Sequence, residues 1–337
     1  MPARPDPPAG GGPPGGEKKD PGVLTALEQL LREETAGDPA SDRKWVRHSV
    51  QYLSAALQRQ GYAVSPMTVY RLLGELDFSL KANRKRFTGP PHPDRDRQFA
   101  YIAGQRQRFG ILGYPAISVD GKQKELIGNF KNPGRVWCRQ AEEVNAHDFR
   151  DDALARAVPY GLYDPRQDRG WVYVGLSADT AAFAVDALAH WWAYSGQRVY
   201  PDADELLLLC DAGGSNSCRT RLWKQQIQEK LADRWGLSVT VCHYPRGASK
   251  WNPVEHRLFS RISLNWAGKP LRTLESFLAC IRGTTTDTGW PVRAVLLGGT
   301  YKDGIRVPDE EVQTWRIKRH PVCPQWNYTI KPRWTIY

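Results

Sequence analysis

Long uninterrupted apolar runs are missing from this chain of 337 residues, whose most hydrophobic stretches are broken by Asp186, His190 or Asp211. None approaches the ~20 residues that a membrane-spanning helix needs. No charged start followed by an apolar core opens the sequence, so no secretory signal is read, and a cytoplasmic protein with no membrane partner is expected. Cysteine is scarce. The six cysteines form no CxxC pair, and Cys210 and Cys242 fall in apolar, strand-like runs, which favours reduced, buried thiols. His320 and Cys323 make a lone HxxC, too little for a zinc site. No GxGxxG follows a predicted strand and no GxxxxGKS or GxxxxGKT loop occurs, which argues against a nicotinamide or nucleotide enzyme. No repeat of fixed period is present. Positive charge, by contrast, is in excess: 47 Lys and Arg against 36 Asp and Glu leave a formal net charge of +11, which suits a polyanionic partner through counterion release.

Composition divides the chain. Residues 1–22 hold seven prolines and six glycines, too little apolar surface to offset chain entropy, and read as a disordered leader. Val23, Leu24, Leu27, Leu30 and Leu31 then recur at helical spacing up to Glu34. A second helical stripe, Val46, Val50, Leu53 and Leu57, predicts a helix over 45–60 that ends at Gly61. A third begins with Ser65 as N-cap and Pro66 at the first helical position, with Val69, Leu72, Leu73 and Leu76 facing inward. Two helices joined by so short a turn match a helix-turn-helix, whose second helix would present Thr68, Tyr70 and Arg71 to a DNA groove; any antiparallel helical hairpin gives the same pattern. The following Lys81-Ala-Asn-Arg-Lys-Arg86 packs four cations into six residues, and there Lys81, Arg84, Lys85 and Arg86 are expected to grip phosphates. The expected division is a small all-α region over 23–88, a stiff linker over 89–98, a catalytic domain over 99–300 and a basic, aromatic tail over 301–337.

Beyond the linker, a helix through Phe99–Phe109 leads to strands predicted at Ala116–Asp120, Val136–Arg139 and Trp171–Leu176. Helix Thr180–Tyr194, strand Leu206–Cys210, helix Thr220–Trp235, strand Ser238–Cys242 and a helix opened by Asn252-Pro253 follow. Early strands able to pair as antiparallel neighbours, then alternation, predict an α/β fold with one mixed sheet and helices on both faces. Three acids stand at its corners: Asp120 closes AISVD, Asp211 closes ELLLLCD, and Glu255 lies in NPVEHRLFS. Singly, each has an innocent role, as a hairpin Asp-Gly, a turn-starting aspartate and the glutamate of a capping box behind Asn252. Together, two strand-terminal aspartates followed by a helix-borne glutamate form a carboxylate set suited to hard cations such as Mg²⁺. A pair of such ions can clamp the attacking and leaving oxygens of a phosphodiester.

The blocks around those acids, SVDGKQKE, LCDAGGSNS and HYPRGASKWNPVEHRLFS, resemble those of the Rhodopirellula-type DDE transposases of bacterial insertion sequences, which have a ribonuclease-H-like core. RQGYAVSPMTVYRLLGELDFSLKANRK upstream and GTYKDGIRVPDEE downstream extend the likeness over most of residues 37–337. Members of that family often carry further basic sequence ahead of the Pro/Gly-rich segment in which this chain starts. The resemblance implies that Asp120, Asp211 and Glu255 bind two Mg²⁺ ions, with Mn²⁺ able to substitute. It also implies cleavage at element ends and transfer of the 3′-hydroxyl to target DNA, by a homo-oligomer acting on double-stranded terminal repeats at the nucleoid. Asn216 and Ser215 are expected to orient the strand, Lys250 to contact a phosphate, and His256 or His243 to position water or the scissile group. His256 diverges from Glu255 by about 100° on a helix, which makes it a DNA contact before a metal ligand. A DNA-binding relic without turnover, or a ribonuclease-H-like nuclease unconnected with transposition, would share most of these residues.

Overall fold

The computed structural model describes residues 22–37, 44–46, 49–76, 78, 92–134, 143–145, 152–245 and 247–334. The leader up to residue 21, the cations Lys81, Arg84, Lys85 and Arg86, Cys138 and the strand predicted at Val136–Arg139 lie outside the described residues. The chain divides into two compact units, Met1–Arg86 and Phe87–Tyr337.

In the first unit, α1 (Val23–Glu34), α2 (Val50–Arg59) and α3 (Pro66–Glu75) close on one apolar cluster of Val23, Leu27, Leu53, Leu57, Val69 and Leu72. Helix α2 starts five residues later than the apolar spacing predicts. Ser49 caps it by accepting the Tyr52 N–H (3.2 Å), while β2 (Lys44–Val46) pairs antiparallel with β1 (Thr35–Gly37). Gly61, at φ +94°, turns the chain between α2 and α3 in a conformation that side chains resist. Ser65 then accepts the Thr68 N–H (3.2 Å), with Pro66 at the first helical position.

The second unit opens with α4 (Arg95–Leu112), ended by Gly113 in the left-handed conformation, and then builds a nine-stranded mixed sheet. Its early strands are β3 (Ala116–Gly121), β4 (Glu125–Ile127), β5 (Ala155–Asp164) and β6 (Arg169–Gly175). Helix α5 (Ala181–Trp191) continues through a π-helical turn, Trp192–Gly196, and precedes β7 (Glu205–Asp211). Helix α6 (Arg221–Ile227), also prolonged by a π-helical turn, leads to β8 (Ser238–Tyr244). The π-helical turn Val254–Phe259 runs into α7 (Ser260–Asn265), followed by α8 (Leu274–Arg282), β9 (Arg293–Leu296), α9 (Asp309–Val312), β10 (Ile317–Arg319) and β11 (Asn327–Ile330). Spatial order is β10-β11-β8-β7-β3-β5-β6-β9, with β4 also on β5. Strands β3, β7 and β8 run parallel, and β5 is antiparallel to both β3 and β6.

Strand β5 is central and ten residues long, yet its sequence, ARAVPYGLYD, carries the two residues that usually end a strand. The proline is tolerated because of where it falls. Its carbonyl accepts the Lys122 N–H (2.8 Å) just past the end of β3, and a residue's N–H and C=O share one edge, so the missing donor faces the place where β3 runs out. Residues after 300 belong to the same sheet, since β11 pairs with β8 from Asn327↔Cys242 to Ile330↔Val239.

Alternation sorts each strand's side chains between two faces. Ile117, Val119, Leu208 and Val241 pack on one face against Phe183, Leu188 and Trp191 of α5 and Trp223 and Ile227 of α6. The opposite face takes α4 through Leu207 and Leu209, and takes the Val254–Asn265 segment and α8 through Tyr163, Val172 and Val174. Helices therefore cover both faces, as the pattern of elements predicts. Among the described residues, no helix is long and apolar enough to cross a membrane.

Candidate active site

Register brings the two aspartates together. Val119 stands opposite Cys210 in the parallel β3–β7 pair, so Asp120 and Asp211, each one residue on, leave adjacent strands at the same carboxyl end. By parity both share the face of Ser118, Leu207 and Leu209, the face onto which the Val254–Asn265 segment folds. In open α/β sheets this carboxyl edge is where ligands bind.

Glu255 arrives on that segment, whose inner side is Val254, Leu258, Phe259 and Ile262. Two glycines let it lie close. A Cβ on Gly161, the partner of Asp120 in β5, would come within 2.5 Å of Phe259 and 2.9 Å of Val254, and one on Gly170 within 2.6 Å of Leu258. Asn252 fastens the segment's start. Wholly buried, it accepts a short hydrogen bond from Ser118 Oγ and donates from Nδ2 to the Val119 carbonyl (3.3 Å) and to Asp211 Oδ1 (3.2 Å). Ser118 Oγ in turn accepts the Val254 N–H (2.9 Å). Asn252 thus works as a clasp between strand and helix rather than as the cap its sequence position suggests.

Three carboxyls so placed repel. Burial pushes all of them above the ordinary carboxylate range; Asp211 reaches about 6, the Asn252 hydrogen bond holding it down and Glu255 pushing it up. Asp120 is raised furthest, by burial and then by the charges of Asp211 and Glu255, although the Gly121 N–H donates to its Oδ1 (2.8 Å). Asp120 and Glu255 share a hydrogen bond, and Lys122 and His256 temper the rise at Glu255. Lys122 also pairs with Glu125 and lies 4.8 Å from the Trp266 ring centroid. Among the described residues, no three His, Cys, Asp or Glu side chains are grouped so that they could hold a metal ion as they stand. The acids interact through charge and a shared hydrogen bond, and are deficient in positive charge.

A buried relay supports Asp211 from behind. The His243 Nδ1–H donates to the Asp211 carbonyl (3.0 Å), which fixes the tautomer and leaves Nε2 to accept from Tyr328 O–H (3.2 Å). Trp223 Nε1–H completes the chain by donating to the same hydroxyl (3.1 Å). Burial lowers His243 to about 4, so the ring is neutral at neutral pH. Gln98 of α4 donates to the His243 carbonyl and exchanges hydrogen bonds with Asn327 of β11 (2.8, 2.8 and 2.6 Å).

Other expected site residues fall in varied places. His256 and Lys250 are exposed on the segment around Glu255, the Lys250 ammonium 5.2 Å from the Trp251 ring centroid. Asn216, expected to orient a strand, is wholly buried and accepts from Tyr160 O–H (2.7 Å), so it lies beneath the surface rather than on it. Ser215 is buried against Asp179, and His243, being buried, acts only through the Asp211 backbone. In the first unit, Tyr70 and Arg71 are exposed on α3, with Arg71 paired to Glu75 (2.8 Å), and Thr68 hydrogen-bonds Ser65 (3.0 Å). Ser118, Lys122, Asn252 and Tyr328 escape sequence reasoning. The only signal was the polar Ser118 inside an apolar strand, paired with an Asn just ahead of the acid-bearing helix.

The family described as the Rhodopirellula transposase DDE domain matches residues 26–332. The chain belongs to that family. It is thus a DDE transposase, an enzyme of the polynucleotidyl-transferase and endonuclease class. Among curated proteins no match is found. Solved structures with a similar chain include the Mos1 transposase paired-end complex with left transposon end (18% identity, TM-score 0.40, 80% of this chain and 71% of that one). The Mos1 mariner paired-end complex with Mn has 17% identity, a TM-score of 0.41 and 80% and 72% coverage. The Mos1 strand transfer complex has 16% identity, a TM-score of 0.39 and 80% and 71% coverage.

Proposed function

We propose that this transposase cuts DNA at the ends of its own insertion sequence and joins the freed 3′-hydroxyls to target DNA, with Asp120, Asp211 and Glu255 as its metal-binding catalytic residues. One observation supports the reading: three carboxyls from two strand ends and one helix interact at one sheet edge, each pKa raised by burial and those of Asp120 and Asp211 also by neighbouring carboxylate charge. The donor set fits divalent cations. It is all oxygen and electrostatically unbalanced, as the ligands of a hard cation are before the ion binds. Two Mg²⁺ ions, or Mn²⁺ in their stead, would acidify the attacking water or 3′-hydroxyl and stabilise the departing oxygen.

The chain's own residues supply position. Asn252 Nδ2 engages one oxygen of Asp211 and the Gly121 N–H engages one of Asp120, leaving the second oxygen of each for a ligand. The relay from Trp223 through Tyr328 and His243 fixes the Asp211 backbone. We read the core as ribonuclease-H-like and the first unit as a helix-turn-helix that binds DNA through Thr68, Tyr70 and Arg71, with Lys81, Arg84, Lys85 and Arg86 on phosphates. His256 and Lys250 are assigned to DNA beside the cut. The protein works as a homo-oligomer on paired ends in the cytoplasm. The test is cleavage and strand transfer on duplexes bearing the native terminal repeats, with Mg²⁺ or Mn²⁺; equal cutting by wild type and Asp211→Asn defeats the proposal.

A further inference from the structure

Beside the acids lies a second, chemically opposite feature. Asp211, Ala212, Ser217, Arg219 and Gly247 line a cleft of about 380 Å³. Ala212 and Arg219 also line a second cleft of about 590 Å³, whose other walls include Lys224, Arg319, His92 and Trp326. The two clefts share Ala212 and Arg219, so the cleft lined by Asp211 adjoins one lined by cations. No carboxylate lines the second cleft. Among the described residues, none of Arg219, Lys224 and Arg319 has an ion-pair partner, whereas Arg221 nearby pairs with Asp309 (2.6 Å). Lys224 Nζ is held inward by the Cys218 carbonyl (2.7 Å), and Arg319 Nη1 by the Pro324 carbonyl (3.0 Å). Burial, and next the charge of Arg319, lower the Lys224 pKa, which marks cations crowded together without a counterion. Cations without ion-pair partners in a concave site favour an anion, and the His92 and Trp326 rings, 4.7 Å apart, give it an aromatic wall with Asp94 behind His92 (3.9 Å).

Resting on the transposase reading, we infer that this cleft holds the DNA strand leaving the Asp211 side of the active site, with backbone phosphates on Arg219, Lys224 and Arg319 and a sugar and base against His92 and Trp326. The volume accommodates a nucleotide unit, since small-ligand pockets start at about 300 Å³. A strand held here would keep the DNA bound beside the acids, so the cleft contributes affinity rather than chemistry.

The full-length protein and fluorescent duplexes carrying the native terminal repeat serve for the test, with anisotropy read across a salt series. Arg219→Gln and Arg319→Gln alter exposed side chains and preserve the fold more safely than Lys224→Met. Each is expected to weaken binding about tenfold, to make the log–log salt slope shallower by about one, and to raise KM while sparing kcat. Arg234→Gln, on the exposed surface beside Trp235, controls for lost charge and should change nothing. Neutral methylphosphonates at the phosphates next to the cut should cost the wild type a similar factor and the two arginine variants almost none. Unchanged binding by Arg219→Gln and Arg319→Gln, or a methylphosphonate penalty that persists in both, would overturn the inference. Absence of metal-dependent cutting by the wild type would instead strike the transposase reading, because the binding comparison needs no turnover.

Discussion

Replacing Asp211 by asparagine should make the metal-free protein more stable while removing its catalysis. The folded state raises this carboxyl from 3.8 to about 6, which at ~1.36 kcal/mol per unit disfavours the ionised folded form by about 3 kcal/mol. Asparagine keeps an oxygen for the Asn252 Nδ2 donor and removes the repulsion with Glu255. Allowing for solvent around a partly open side chain, a gain of about 1–3 kcal/mol is expected, or roughly 3–8 °C in Tm for a unit of this size. The pH dependence has a definite sign. A raised carboxyl favours folding below its unfolded value, and that contribution is lost as pH climbs through its folded value. Wild type and variant should therefore melt together near pH 4 and diverge by about pH 7, the variant higher. Mg²⁺ should stabilise the wild type by mass action and the variant far less, which closes the gap from the other side. Thermal melts at several pH values, with and without Mg²⁺, read all of this. A variant that melts at or below wild type at about pH 8 without metal, or a gap that persists undiminished near pH 4, would refute the reasoning.

Gly161→Ala places a methyl within 2.5 Å of Phe259 and 2.9 Å of Val254. It should cost about 1–3 kcal/mol in urea unfolding and at least tenfold in cleavage, because the segment bearing Glu255 must move outward. Tyr328→Phe removes the hydroxyl that joins Trp223 to His243. A loss of about 1–3 kcal/mol is expected, with slower cleavage and unaltered DNA affinity by anisotropy. His243, lowered to about 4 by burial, contributes stability that is complete above about pH 6.5 and is lost as pH falls through 4. Its imidazole NMR signals should hold their neutral shifts down to about pH 5, and titration near 6.5 would contradict the buried relay.

The strands at 116–120, 171–176, 206–210 and 238–242 were legible because each is an apolar run with a polar boundary, and Asp120 and Asp211 stand at two of those boundaries. Strand β5 was not, because Pro159 and Gly161 read locally as breakers; only the end of β3 and the close approach of Phe259 make them acceptable. Strands β10 and β11 are three and four residues long, amid charges and aromatics, and their pairing with β8 is a long-range fact that no local pattern encodes. Likewise the acids could be read as a set, whereas the Ser118–Asn252 clasp could not. Each of its polar groups has an ordinary local use, as a strand serine or a helix cap, and only burial shows that they must satisfy each other.

The arrangement also explains why β11 supports the proposed active site, which it never touches. A set of like charges cannot hold itself together, so its geometry has to be imposed by neighbours that gain nothing from the charges. Asn252 and Ser118 impose it on the helix side, and Gly161 and Gly170 permit it on the sheet side. On the far side of β7 the same task falls to His243, whose Nε2 is held by Tyr328 of β11 and whose carbonyl is tied by Gln98 to Asn327. Truncation before β11 should therefore remove more than an edge strand. It would free His243 to turn, leave its buried nitrogen unpaired and loosen Asp211. Loss of Mg²⁺-induced stabilisation by a chain ending near residue 320, with the remaining sheet still folded by circular dichroism, is the expected signature. A truncated chain that retained the full metal response would show that β7 alone holds its aspartate in place.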